Sequence, residues 1–543
     1  MVRGMTIERS WADRENLNKN ELAKLEKDGL EILNELDRLA GMKYEDIEAF
    51  DIERMKWAGI YAQRPKDGHF LVRIKLTSGE LTADQADVIA GISRDFGEDS
   101  VQITIRQCIQ IHNLTLPDIP EVFARMKAAG LTSVEGCGDV PRNVLGNPLM
   151  GVDPEERVDT QPIVRETVRR LVGNPEYSNL PRKFKISISS NPHDCGFARI
   201  NDVAFVPAEK EKDGVMEQGF HMFVGGGLSS DPKLAKKTGF FLHPDQVAPA
   251  AEAVAAVFRE YGYREKRNHC RLKFLVEDWG IRKIEEAIEQ ITGPVERGGR
   301  TVSGSWNRGC FFGIHQQKQD GLCFAGVHIP AGAMGPEDLE EFARLARKYG
   351  SGRLRTTNSQ NLILIDIPEQ RAAELKNELI FQKYPLHPEA FSGYCSSCTG
   401  DQYCNFAPIE TKKRLQSIVE QLDERFPGLR MPVRVNLTGC VHSCAHPQLA
   451  DFGLTGGRRK INGASKDVFR LTIGGALGPG GAFGTTLKGW LPADAASDAI
   501  GDMTQYYLDY RKQGERFFRF AEREGTGVFQ EILDRYTQAE VNA

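Results

Sequence analysis

Apolar and polar residues alternate with a period of two along DGHFLVRIKLTSG (67–79) and again along DGLCFAGVHIPAG (320–332), which predicts a strand in each. Each is followed by a stretch with helical spacing, SGELTADQADVIAGISRDFG (78–97) and MGPEDLEEFARLARKYGSG (334–352), and then by a second strand. Turn-rich segments lead on to more strands and to amphipathic helices within QVAPAAEAVAAVFREYGYRE (246–265) and DAASDAIGDMTQYYLDYRKQG (494–514). The pattern predicts an α+β chain with mixed or antiparallel sheets. It lacks the regular strand–helix alternation of a doubly wound fold.

The two runs of elements share a register. The first strands are offset by 253 (320 − 67), and the same offset sets Gln107 on Gln360. Further on, FKISISSNPHDCGFARINDVAF (184–205) lies over VRVNLTGCVHSCAHPQLADFGL (433–454) at an offset of 249, which also sets Gly225-Gly226 on Gly474-Gly475. The chain therefore contains two copies of one module of roughly 230 residues, preceded by a helical extension. Related halves pack about a pseudo-twofold axis, and their interface is a common place for a ligand. The copies diverge at their cysteines. Asn191 stands opposite Cys440 while Cys195 stands opposite Cys444. Laying GCGDVPRN (136–143) over SCTGDQYC (397–404) puts Cys137 on Cys398 and Asn143 on Cys404. Four aligned cysteines then belong to the second half, and two to the first.

With 543 residues, 40% hydrophobic and 27% charged, the chain can bury several cores. Its net charge of −5 argues against a generic nucleic-acid binder. The N-terminal stretch is charged without an apolar signal segment, and no apolar run is long enough to span a bilayer. The expectation is a cytoplasmic protein with no membrane contact. Of 11 cysteines, Cys395, Cys398, Cys404, Cys440 and Cys444 crowd into residues 395–444, whereas Cys270 and Cys310 are isolated and read as small buried hydrophobes. In a reducing compartment such clustering points to metal or redox chemistry. Cys398-x5-Cys404 followed by Cys440-x3-Cys444 fits zinc knuckles poorly. Four soft sulfurs from two loops suit a 4Fe–4S cube, with zinc and free or redox cysteines still open.

TGCVHSCAHPQLADFGL (438–454) resembles the signature of the siroheme nitrite and sulfite reductases, and CTGDQYCNFAPIETK (398–412) resembles that family's partner motif. GIHQQKQDGLCFAGVHIPAGAM and RTTNSQNLI are similar to its ferredoxin-dependent branch. The resemblance runs from about residue 55 to 530. It implies that Cys398, Cys404, Cys440 and Cys444 hold one 4Fe–4S cluster and that the Cys444 thiolate also bridges to siroheme. It implies a ferredoxin donor, a small oxyanion substrate and a monomer. The domains expected on this basis are a helical extension (1–60), a ferredoxin-like half-domain (61–135) and a core domain (136–305). A second half-domain (306–385) and a second core domain (386–543) follow.

An oxyanion whose oxygens leave as water needs cations that can donate protons in a closed pocket. Family resemblance assigns that role to Arg106 in the strand TIRQCIQIH, to Arg142, and to Lys183 and Lys185 on one face of LPRKFKISIS. Lys183-Phe-Lys185 is the sulfite-type pattern of the family; in plant-type nitrite reductases the second position is Asn. The reading is therefore sulfite to sulfide, with nitrite to ammonium as the alternative. Tyr61 matches a residue that one sulfite-reducing subgroup joins to a Cys, but Val140 occupies the Cys position, so no cross-link is expected. Gln107, Lys318, Gln360 and Asn361 are candidates for siroheme carboxylates. GGALGPGGAFG (474–484) lacks the lysine of a phosphate loop, and its glycines are expected to admit a close cofactor. A non-enzymatic alternative is a structural protein held together by a metal on four cysteines.

Overall fold

The computed structural model describes residues 16–306, 311–461 and 463–538. The N-terminal 15 residues and Cys310 lie outside them. The elements form four sheets in two matched pairs. One antiparallel sheet runs Ile60–Ala62, His69–Ile74, Ile109–Thr115, Val101–Ile103 and then Ala333–Met334. Its twin runs Gly313–Gln316, Leu322–Val327, Leu362–Pro368, Arg353–Thr356 and then Glu80–Thr82. The last strand of each belongs to the other half of the chain. This reciprocal exchange fuses the two half-domains, and their buried side chains form one cluster from Ile32 to Leu386. Helix Ala83–Phe96 starts where the exchanged strand ends, with Thr82 and Gln85 closing a capping box.

The other pair is mixed. Leu145–Gly146, Ile186–Ile188 and Val203–Lys212 are parallel, and Val203–Lys212 continues into an antiparallel hairpin with Val215–Val224. In the second half the same path is Ser396–Ser397, Val435–Thr438, Phe452–Ile461 and Ala464–Ile473. Each sheet packs against its own helices around a separate core. Phe197, Ile200, Leu228, Trp306, Leu449 and Leu477 join the two halves as a smaller apolar cluster.

Backbone strain repeats with the fold. Ser78, Gln107 and Asn113 have positive φ, as do Ala331, Gln360 and Asp366 at an offset of 253; Asp194 and Phe197 match Ser443 and His446 at 249. Non-glycine residues rarely take this conformation because Cβ meets the following carbonyl. Its recurrence at five paired positions marks one backbone used twice. The glycines of the 474–484 segment serve that backbone as well. A Cβ on Gly475 would stand 2.1 Å from the Gln448 carbonyl, and one on its twin Gly226 would stand 2.6 Å from those of Arg199 and Asn201. The close approach at these two glycines is to the chain's own turns.

Candidate active site

Neighbouring parallel strands have their C-terminal ends on one side of a sheet. Ser396–Ser397 and Val435–Thr438 are such neighbours, so the loops carrying Cys398 and Cys404, and Cys440 and Cys444, leave them together. The Gly439 amide donates to Cys398 Sγ (3.2 Å), tying one loop to the other. The Ser443 amide donates to the Cys440 carbonyl (3.3 Å) and turns the chain toward Cys444. Cys444 is solvent-accessible, yet burial is the largest influence raising its thiol pKa, followed by the neighbouring Cys398. Its sulfur thus faces a recess enclosed by protein. Cys440 is pushed up to about 12, first by burial and then by the Cys444, Cys398 and Cys404 sulfurs.

The spacing of the thiols discriminates between metals. Zn–S bonds near 2.3 Å would draw four sulfurs to about 3.8 Å from one another. No three of these four sulfurs lie mutually within 4.8 Å. That spacing is wider than the compact set a single zinc ion draws together, and four soft sulfurs on two loops suit an iron–sulfur cluster.

In the first half, strand pairing changes the alignment read from the sequence. Leu145–Gly146 sits beside Ile186–Ile188 as Ser396–Ser397 sits beside Val435–Thr438, an offset of 251 (396 − 145). The counterpart of Cys398 is therefore Asn147, not Cys137, and that of Cys404 is Asp153, not Asn143. With Asn191 and Cys195 these residues close a hydrogen-bonded quartet. Asp153 accepts from the amides of Asn147 and Asn191, the latter at 2.6 Å, and Asn191 donates to Cys195 Sγ at 3.4 Å. Where the second half holds four separated thiols, the first half fills the same four positions with mutual bonds.

Of the predicted cations, Lys183 and Lys185 face Cys444, with Arg142 close to Lys183 and Arg106 close to Lys185. Arg106 lies in the turn between Val101–Ile103 and Ile109–Thr115, not in a strand, and donates to Asn201 Oδ1 (3.0 Å) and the Asn143 carbonyl (2.6 Å). Arg142 is pinned by the Gly138 carbonyl (2.8 Å). Lys183 and Lys185 flank Phe184, ahead of the strand that starts at Ile186. Backbone bonds hold the two stretches in register: Phe184 donates to Val140, and Arg142 to Phe184. Asp139, three residues before Arg142, accepts from Arg182 (3.1 Å), Arg267 (2.8 Å) and Lys24 (3.4 Å). Burial would raise its carboxyl, but these cations hold it far below the usual range. The N-terminal helix Lys19–Glu26 thereby braces the Arg142 loop.

Burial pulls Lys183 down to about 7, helped by Arg271, Arg182 and Arg142. It takes Lys185 well below its ordinary value, with Arg106 and Lys183 adding repulsion. Neither ammonium has a hydrogen-bond partner among the described residues. The structure adds cations that sequence reasoning missed. Arg73 is pulled down to about 10 and Lys75 to about 8, both chiefly by burial. They alternate with Ile74 in the segment that revealed the repeat, and two cations two apart in an apolar strand were a usable signal. Arg271 is held by Asp202 (2.9 Å), and His446 is kept neutral by burial and by Lys185 and Arg106.

Arg73 Nε, Lys75 Nζ, Arg106 Nε and Asn358 Oδ1 are buried without partners. Buried cations without anions are unfavourable until something negative binds. This lining fits a polycarboxylate macrocycle and a small anion, and the thiols fit a cluster beside it. The other candidates have partners within the protein. Gln107 donates to the Ser78 (3.1 Å) and Thr356 (3.4 Å) carbonyls and accepts from the Gly146 amide; Gln360 donates to the Ile103 carbonyl (3.0 Å) and accepts from the Ser397 amide. They are twin braces between the halves. Asn361 caps its own turn and accepts from Ile329, and Lys318 pairs with Glu156 (2.7 Å). Tyr61 accepts from Arg73 (3.0 Å).

Duplicated mixed sheets, four grouped thiols and a cation-rich recess suit a redox metalloenzyme acting on anions. The family described as nitrite and sulphite reductase 4Fe-4S domain matches residues 137–294 and 394–541, and the nitrite/sulfite reductase ferredoxin-like half domain matches 61–129 and 315–381. The chain belongs to this nitrite and sulfite reductase family, whose cofactors are siroheme and one 4Fe–4S cluster. It is 38% identical to a ferredoxin–nitrite reductase of Synechococcus elongatus, over 86% of this chain and 92% of that one. It is 34% identical to sulfite reductase [ferredoxin] 1 of Mycolicibacterium paratuberculosis, over 95% and 97%. Its fold superposes on the solved Mycobacterium tuberculosis NirA protein with a TM-score of 0.91, at 32% identity, covering 96% of this chain and 99% of that one.

Proposed function

We propose that the chain is a ferredoxin-dependent reductase carrying sulfite to sulfide by six electrons, with nitrite to ammonium as the second reading. Cys398, Cys404, Cys440 and Cys444 would hold the cluster, with Cys444 also meeting siroheme. When bound, these groups supply the electron relay and the iron that takes the oxyanion. Lys183 and Lys185 hold and protonate the anion, and Arg106 and Arg142 neutralise it. The five-part division at residues 60, 135, 305 and 385, a cytoplasmic location and a monomeric state complete the proposal. No helix among the described residues is long and apolar enough to cross a membrane.

The observation that carries sulfite is the pair of unpartnered ammonium groups flanking Phe184 beside Cys444. A dianion with three oxygens to remove gains more from a second proton-donating cation than a monoanion with two. The nitrite reading is supported by the similarity to the Synechococcus enzyme. Steady-state turnover of both anions with one artificial donor tests the choice, with Lys185→Asn beside the wild type. The expected outcome is a wild-type preference for sulfite and a loss of sulfite kcat/KM of about a hundredfold in the variant. A strong wild-type preference for nitrite, or full sulfite activity in the variant, would contradict it.

A further inference from the structure

One carboxyl in the wall of the recess has no part in the mechanism above. Glu135 is fully buried and held at φ 58 by its amide bond to the Trp57 carbonyl. Its Oε2 accepts from the Gly173 amide (2.8 Å), in a turn where Gly173 is exposed. Its Oε1 points inward, buried and without a partner. The Lys75 ammonium is likewise buried without a partner, and the Lys75 amide bonds to Thr132 (2.8 Å), three residues before Glu135. Among the described residues the two make no ion pair within 4.0 Å, although each lies in the other's electrostatic field. Next to Glu135, the Gly136 carbonyl accepts from both Arg73 (3.3 Å) and Arg142 (3.4 Å). The carboxyl thus reaches from an exposed turn to the back of the cationic wall.

We propose that Glu135 is a proton relay, taking protons at the Gly173 turn and passing them through a bridging water to Lys75 and so to the anion pocket. A buried acceptor and a buried donor, each without a partner and not bonded to one another, are the kind of groups that ordered water bridges. In each cycle the Glu135 O–H breaks as an N–H forms on neutral Lys75. Lys75 then passes its proton on along the side of Arg142, the pocket cation that faces it, to an oxygen leaving as water, and solvent reprotonates Glu135. Only protons move; the electrons come from the donor of the reaction proposed above, on which this inference rests. Burial raises the Glu135 carboxyl to about 7 and lowers Lys75 to about 8, so both change state near neutrality. Lys75, Arg142 and Asp28 face the carboxyl, and Glu135, Cys108 and Arg142 face the ammonium.

Glu135→Gln keeps the volume and the acceptor for Gly173 but cannot carry a proton. With the holoenzyme and an artificial donor, kcat should fall about a hundredfold with little change in KM. Because the relay works only when Glu135 is protonated, wild-type kcat should decline as pH rises through about 7, and this limb should vanish in the variant. Glu135→Asp should keep the limb at a reduced rate. Infrared titration should show a protonated carboxyl disappearing near pH 7 in the wild type and missing in Glu135→Gln, whether or not the protein turns over. Wild-type kcat and pH profile in Glu135→Gln, or no such carboxyl in the wild type, would overturn the relay. Failure of the wild type on both anions would instead overturn the proposed function.

Discussion

Two sets of four residues occupy the same places in the two halves and do opposite things. Asn147, Asp153, Asn191 and Cys195 bond to one another and close their site. Cys398, Cys404, Cys440 and Cys444 stand apart, no three of their sulfurs mutually within 4.8 Å. The scaffold is common, down to the left-handed turns at Asp194 and Ser443. On the proposed reading metal binding is a property of four side chains placed on a pair of parallel strands, and the same scaffold holds hydrogen-bonded residues at those positions in the first half. The first half supplies Lys183 and Lys185, the cations that Cys444 faces.

The comparison breaks most severely at Asp153. Asp153→Ala leaves the Asn147 and Asn191 amides buried without their acceptor and should lower stability by about 2–5 kcal/mol in denaturant unfolding, about 1–3 for each amide. Iron content should stay unchanged, because the proposed cluster ligands are the other set. A parallel loss of iron would mean that the two sites are not independent. A smaller effect is expected where the halves are alike. Gln107→Ala and Gln360→Ala each remove one brace of the same geometry and should cost about 1–3 kcal/mol apiece, equal within error. Unequal losses would show that one glutamine also serves a ligand.

The repeat was legible because two offsets recur across strands, helices and glycines, and the cysteines because short spacings in one half lack counterparts in the other. The register of the first cysteine loop was not. GCGD resembles SCTGD closely enough to attract a local alignment, and only the pairing of Leu145–Gly146 with Ile186–Ile188 shows that the twin of Cys398 lies further along. Gln107 and Gln360 were visible as a pair, but their bonds reach carbonyls in the opposite half, which no linear pattern exposes. Arg73 and Lys75 passed as ordinary strand alternation because their burial depends on packing against the loop around Gly136. The Lys183-Phe-Lys185 alternation survived intact, with Phe184 fully buried between two accessible lysines.

Iron and acid-labile sulfide analysis, with the visible spectrum, of wild type beside Cys444→Ser and Cys195→Ser tests the division of labour most directly. The account predicts a brown-green wild type with siroheme bands, loss of iron and colour in Cys444→Ser, and full iron and colour in Cys195→Ser. A colourless, zinc-containing wild type, or equal loss of iron from both variants, would contradict it.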